Sequence, residues 1–271
     1  MSAVRLLRAA DIPQAMRLKQ AAGWNQTEED WLRLIELEPE GCFGIERDGR
    51  LAATTTAICY GRRLAWIGMV LTDVEFRGQG LASELMRQAL AFTDGRQVEW
   101  VKLDATDMGR PLYRKFGFVD ECPIERWVRP SGARTPACRV ETLLDARAEL
   151  HDVGFGADRS DLLSRLAMGE RVSIAGSGYA MGRPGTNAAY FGPCVADSAG
   201  AAREFVEWFL ALHPGESVYW DLLPENREAV RLAVDFGFEC DRVLVRMARG
   251  AGRPLESDAS LVYAIAGFEF G

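Results

Sequence analysis

Two stretches in the first half of the sequence hold residue types that could do chemistry together. The first is Val70-Leu71-Thr72-Asp73-Val74-Glu75-Phe76-Arg77-Gly78-Gln79-Gly80-Leu81-Ala82-Ser83. It reads as an apolar strand, a glycine-containing turn and the start of a helix. Small residues at 78, 80 and 82 let a ligand approach the backbone closely. The free amides of a first helical turn, at the positive end of the helix dipole, then suit a pyrophosphate. Two glycines alone fit an ordinary strand-to-helix turn equally well. A P-loop is excluded because no Gly-Lys-Ser/Thr follows, and the three-glycine dinucleotide pattern is absent. The second stretch is Leu112-Tyr113-Arg114-Lys115-Phe116-Gly117-Phe118, where a phenol sits on a short helix closed by glycine.

The elements that must position these residues follow from periodicity and capping. Asp11-Ile12-Pro13 opens a helix, with Asp11 as cap and Ile12, Ala15, Met16 and Leu18 at helical spacing. A second helix covers 27–38, with Thr27 as cap and Glu28, Glu29 and Asp30 at its positive end. Cys42–Ile45, the turn Asp48-Gly49 and Leu51–Ala57 form a hairpin. Arg63–Leu71 is a strand, Ser83–Ala91 an amphipathic helix, Val98–Leu103 a strand, Pro111–Phe116 a short helix and Val119–Val128 a strand. The stretch 129–136, rich in Pro, Gly and small polar residues, is the best linker candidate.

After it the order recurs. Helices are expected at Leu143–Leu150, Ser160–Ala167, Ala199–Leu212 and Glu225–Phe236. Strands are expected at Arg171–Ala175, Ala188–Phe191, Ser217–Leu222, 239–248 and 261–270. Leu232-Ala233-Val234-Asp235-Phe236-Gly237-Phe238 repeats the second stretch at an offset of 120 residues (232 − 112). With 271 residues and roughly 150 per domain, two copies of one α+β fold account for the length. The expected division is a first domain at 1–130, a linker at 131–137 and a second domain at 138–271.

Composition excludes several classes. Lys plus Arg is 32 against 39 Asp plus Glu, a net of −7 where a nucleic-acid binder is usually basic. No stretch approaches the roughly 18–20 apolar residues of a membrane span. The first ten residues, MSAVRLLRAA, hold no apolar core of signal-peptide length. The scattered cysteines (42, 59, 122, 138, 194, 240) form no C-x-x-C pair and read as buried thiols in a reducing cytoplasm. The two histidines, His151 and His213, share no motif, which argues against a zinc site or a histidine-based triad.

Arg77-x-x-Gly80-x-Ala82 after an apolar strand resembles the acyl-CoA pyrophosphate signature of the GNAT N-acyltransferase superfamily, and Leu112–Phe118 resembles its second signature. Gly23-Trp24-Asn25-Gln26-Thr27, 103–113, Phe155-Gly156-Ala157-Asp158-Arg159 and Arg246-Met247-Ala248-Arg249-Gly250 are similar to bacterial proteins built from two fused GNAT domains. The resemblance implies, in each domain, a mixed sheet splayed open between two parallel strands and flanked by helices. It implies acetyl-CoA as co-substrate and no metal. The pantetheine would pair along Val70, Leu71 and Thr72, and the pyrophosphate would meet Gly78, Gln79, Gly80, Leu81, Ala82 and Ser83, with Arg77 and also Arg110 and Arg114 adding charge. Tyr113 stands where many members protonate the leaving thiolate; a phenol of pKa about 10 is protonated at neutral pH.

The acceptor implied is a primary amine, a small molecule before a peptide or protein; a homodimer stays open. An alkyl amine of pKa near 10.4 is only about 1 part in 2,500 neutral at pH 7, a penalty of roughly 4.6 kcal/mol, against about 1 kcal/mol for an α-amine. A base therefore matters most for alkyl amines. Asp104 is the leading candidate, beside Asp73, Glu75 and Asp107. Trp24 and Trp31 would wall the acceptor pocket. The second half carries Ala233 in place of Tyr113 and lacks the glycine turn at 195–202, so it is expected to have lost catalysis. Gly176-Ser177-Gly178 with Gly182 precedes Arg183-Pro184-Gly185 rather than a helix and reads as a hairpin turn. A non-catalytic acyl-CoA sensor is the rival from another class.

Overall fold

A computed structural model describes residues 4–133, 154–174 and 177–271. It divides into two compact units. The first holds residues up to Glu121 together with Arg246–Arg253 and Phe268–Phe270; the second holds Cys122–Val245, Pro254–Gly267 and Gly271. Each unit thus takes segments from both halves of the sequence, whereas the expected division was contiguous. The helix expected at 143–150, with Cys138, His151, Gly176 and the linker residues 134–137, lies outside the described residues.

The first unit contains β1 (Val4–Leu6), α1 (Ile12–Ala21), α2 (Glu28–Leu37), β2 (Cys42–Arg47), β3 (Arg50–Tyr60), β4 (Leu64–Thr72), α3 (Leu81–Gly95), β5 (Trp100–Ala105) and α4 (Arg110–Lys115). β1 to β4 form an antiparallel run in sequence order. The turn between β2 and β3 places Asp48 and Gly49 both at positive φ, as a tight hairpin matched to strand twist requires. α3 presents Leu81, Leu85, Met86, Ala89 and Leu90 to the sheet at helical spacing. Thr27 caps α2 by accepting the Asp30 amide, and Asp30 answers by accepting the Thr27 amide. Asp11 departs from expectation. Its carboxylate takes the Arg8 amide and the Arg5 guanidinium instead of capping α1, because the ion pair draws the side chain away from the helix end.

In β4 the register slips. Thr54 faces Leu71 and Thr56 faces Gly68, so Met69 and Val70 stand opposite the single residue Thr55, with Met69 at φ +50°. This is a β-bulge, which twists the strand and frees backbone groups locally. β4 and β5 run parallel and pair only from Leu64↔Trp100 to Trp66↔Lys102; beyond that both strands continue without pairing each other. The sheet splays there, as the fold class expected.

The second unit contains most of β6 (Val119–Arg129), then α5 (Ser160–Leu166), β7 (Glu170–Ile174), β8 (Gly178–Arg183), β9 (Ala189–Ala196), α6 (Ala199–Leu212), β10 (Val218–Leu222), α7 (Arg227–Asp235), the first part of β11 (Glu239–Gly250) and β12 (Val262–Ala264). Its strand order is β11-β6-β10-β9-β8-β7. Its core packs Phe191, Phe205, Phe209, Trp220 and Phe238 edge to face or tilted. β7 and β8 pair with Ile174 opposite Gly178, the hairpin expected at that glycine stretch. The strand expected over 261–270 shrinks to Val262–Ala264; beyond it the Ile265 amide bonds to the Asp221 carbonyl of a neighbouring strand, and the later residues bond to side chains and loop backbone instead of forming a ladder.

The cysteines also depart from expectation. Cys42 and Cys194 are buried, but Cys240 is exposed and Cys59 and Cys122 are half-buried. Among the described residues no helix is long and apolar enough to cross a membrane.

Candidate active site

The glycine turn expected to meet a pyrophosphate is an exposed turn with two left-handed residues. Gly78 and Gly80 hold φ of +76° and +83°, a conformation that strains any residue with a Cβ. Gly80 is the residue before α3 and has no side chain to cap it, so the first-turn amides stay available at the positive end of a 15-residue helix. Residues 77–80 are all exposed. Arg77 reaches back to the Thr72 carbonyl at 3.4 Å. Asp73 accepts the Glu75 amide and pairs with Arg17 at 2.5 Å, which holds its carboxyl below the usual range. Glu75 pairs with Arg50 on the surface. Neither carboxylate is a free base.

Tyr113 lies on α4, buried, with its ring edge-on to Phe118 at 6.2 Å between centroids. A Cβ on Gly109 would stand 2.9 Å from the ring, so the glycine four residues earlier is what admits the phenol. Burial pushes the phenol well above its ordinary ionisation, which fixes it in the proton-donating form. Arg110 and Arg114, expected at the phosphates, are both engaged by Asp120, whose carboxyl their charge holds down to about 2.

Asp104 points both carboxylate oxygens at one guanidinium, Arg246 at 2.9 and 3.1 Å, and the Asp104 side chain has no exposed surface. Arg246 in turn lies 4.6 Å over the Trp66 ring. The sequence showed Asp104 but not its partner, which comes from a strand 142 residues away. Trp31 is fully buried with its Nε1 unpartnered, and Trp24 keeps part of its surface.

A segment that sequence reasoning missed also belongs to the first unit. Trp66 Nε1 donates to the Phe268 carbonyl at 2.9 Å and the Tyr60 hydroxyl to the Phe270 carbonyl at 2.7 Å. Between them Glu269 is buried, and its carboxylate accepts Gln26 Nε2 at 2.7 Å.

The second unit differs at each matching place. Ser198 caps α6 by accepting the Ala201 amide, so the helix end is already partly satisfied. Ala233, in the place of Tyr113, is fully buried. β9 and β10 pair in parallel over Ala189↔Val218 to Phe191↔Trp220. Beyond that β12 takes the place between them: it pairs with β9 at Cys194 and Val195, Trp220 Nε1 donates to the Tyr263 carbonyl at 2.7 Å, and the Ile265 amide donates to the Asp221 carbonyl at 3.0 Å.

Comparison with known proteins agrees with this geometry. The model of the acetyltransferase (GNAT) family matches residues 10–118, and that of an acetyltransferase (GNAT) domain matches residues 148–264. The chain is similar to a putative acetyltransferase from Pyrococcus horikoshii at 22% identity and a TM-score of 0.86, over 100% of this chain and 96% of that one. It is similar to a GCN5-related N-acetyltransferase from Sphaerobacter thermophilus at 16% identity and a TM-score of 0.70, over 95% and 98% of the two chains. A third, from Kribbella flavida, shares 20% identity at a TM-score of 0.56, over 92% and 71%. At such identities the likeness is one of fold. No curated protein matches the sequence.

Proposed function

Because the chain belongs to the GNAT acetyltransferases, with two of their domains in tandem, we propose that its first domain moves an acetyl group from acetyl-CoA to a primary amine, a small molecule before a peptide. The observation that carries this reading is the uncapped, exposed start of α3 at Gly80, reached from a β4 whose pairing with β5 stops at Trp66 and Lys102. The pyrophosphate meets the amides of residues 78–83, and the pantetheine adds along Val70–Thr72 as an extra strand. The bulge at Met69 and Val70 supplies backbone polarity toward the thioester carbonyl. A neutral amine attacks the carbonyl carbon, the C–S bond breaks, and Tyr113 gives its proton to the sulfur. Asp104, bound on both oxygens by Arg246, holds β5 in place rather than taking protons.

The test is release of CoA thiol from acetyl-CoA in the presence of a panel of amines. Binding of acetyl-CoA without amine-dependent release would favour a sensor. Two further results are expected. Gly80→Ala forces a Cβ into the left-handed region at roughly 1–2 kcal/mol, and the KM for acetyl-CoA should rise about tenfold. Calorimetric titration with CoA should saturate near one equivalent per chain, because β12 fills in the second domain the place that the added strand would need. Two equivalents would refute that account of the second domain.

A further inference from the structure

We propose that the first unit carries a buried alkylammonium site made by Glu269, Gln26 and Thr56, with Glu269 as the proton acceptor of the transfer. This rests on the acyl-transfer reading above and extends it to the acceptor. Three observations assemble the site. Glu269 lies against β4: a Cβ on Gly68 would stand 2.9 Å from its Cα, so only glycine allows the segment this close. Gln26, before α2, donates to the Glu269 carboxylate at 2.7 Å, which leaves its own Oε1 buried with no partner. Thr56 is the direct cross-strand partner of Gly68 and therefore projects to the same face of the sheet, and its Oγ1 is also buried with no partner.

Two orphan acceptors and a carboxylate match the three N–H donors of an alkylammonium, the one common cation whose geometry asks for three separate acceptors. Buried polar atoms without partners are costly and uncommon, and a ligand that satisfies them explains their retention. The place also suits the chemistry. Gly68 directly precedes the bulge at Met69 and Val70, where the thioester carbonyl would lie.

In the step itself the ammonium gives one proton to Glu269. The freed nitrogen pair forms the N–C bond as C–S breaks, and the sulfur takes the Tyr113 proton. The second N–H proton restores the phenol, and Glu269 releases its proton to water. The test uses the full chain, acetyl-CoA, and a panel of ethylamine, putrescine, lysine, glucosamine and trifluoroethylamine; the last is largely neutral at pH 7. Glu269→Gln should lower kcat/KM for the basic amines about a hundredfold and for trifluoroethylamine less than about threefold. A structural role would slow both alike, and that result would overturn the proposal. Thr56→Val removes an unpartnered hydroxyl, so stability should hold or rise while the KM for the amine rises about three- to tenfold; an unchanged KM overturns the proposal even where Glu269→Gln does not fold. Wild-type protein that binds acetyl-CoA but acetylates no amine of the panel overturns the acyl-transfer reading, and this inference with it.

Discussion

Tyr113→Phe should lower kcat by roughly ten- to a thousandfold while acetyl-CoA binds as before. The substitution removes one oxygen from a side chain whose ring still packs edge-on against Phe118, so the fold has no reason to change. What is lost is the proton that meets negative charge building on sulfur. Burial raises this phenol above its ordinary pKa of about 10, so the donating form persists through neutral and mildly alkaline pH. kcat should therefore show no decline from this group below about pH 10, whereas kcat/KM for a basic amine, which binds as its ammonium, should fall once the pH passes the amine's own pKa. Steady-state kinetics with direct titration of CoA separates the two parameters. A mutant with wild-type kcat would remove Tyr113 from the mechanism.

Asp104→Asn should chiefly cost stability. It leaves the Arg246 guanidinium, whose side chain is only 10% exposed, facing a neutral amide. Breaking a buried pair from one side costs about 3–5 kcal/mol, because the remaining charge stays desolvated without its partner. The denaturation midpoint should fall while kcat of the folded enzyme stays within about twofold, since a carboxylate already holding two guanidinium bonds is a poor base. A hundredfold drop in kcat at unchanged stability would return Asp104 to the role of base. Read beside Glu269→Gln, this result assigns the proton acceptor by exclusion as well as by direct effect.

The difference between these two carboxylates shows what was legible in the sequence. Asp104 stood out because it follows an apolar strand and precedes the Tyr113 helix, so local pattern drew attention to it. Its engagement by Arg246 is invisible locally, because the partner arrives on a strand whose neighbours are set by long-range pairing. Glu269 carried no signal at all. It sits in Phe268-Glu269-Phe270, within a stretch read as a strand; its position depends on long-range hydrogen bonds, those from Gln26, Tyr60 and Trp66 among them. The glycine turn and Tyr113 were legible for the opposite reason. A left-handed φ, a helix start and a glycine stop each demand specific residues within a few positions. Asp11 marks the limit of such local rules, because a nearby arginine outcompeted the helix end for its carboxylate.

The membership of Arg246–Arg253 and Phe268–Phe270 in the first unit has a consequence for the order of events during synthesis. Chains usually fold domain by domain from the N-terminus as translation proceeds. Here the first unit has all its early residues by Glu121 but waits for Phe270, a gap of 149 residues (270 − 121). At 5–20 residues per second that is roughly 7–30 s. Until β11 is made, β5 lacks the neighbour that strand provides, and it presents an open edge to any passing strand. The nascent chain is therefore exposed to mispairing for as long as the ribosome takes to write its second half.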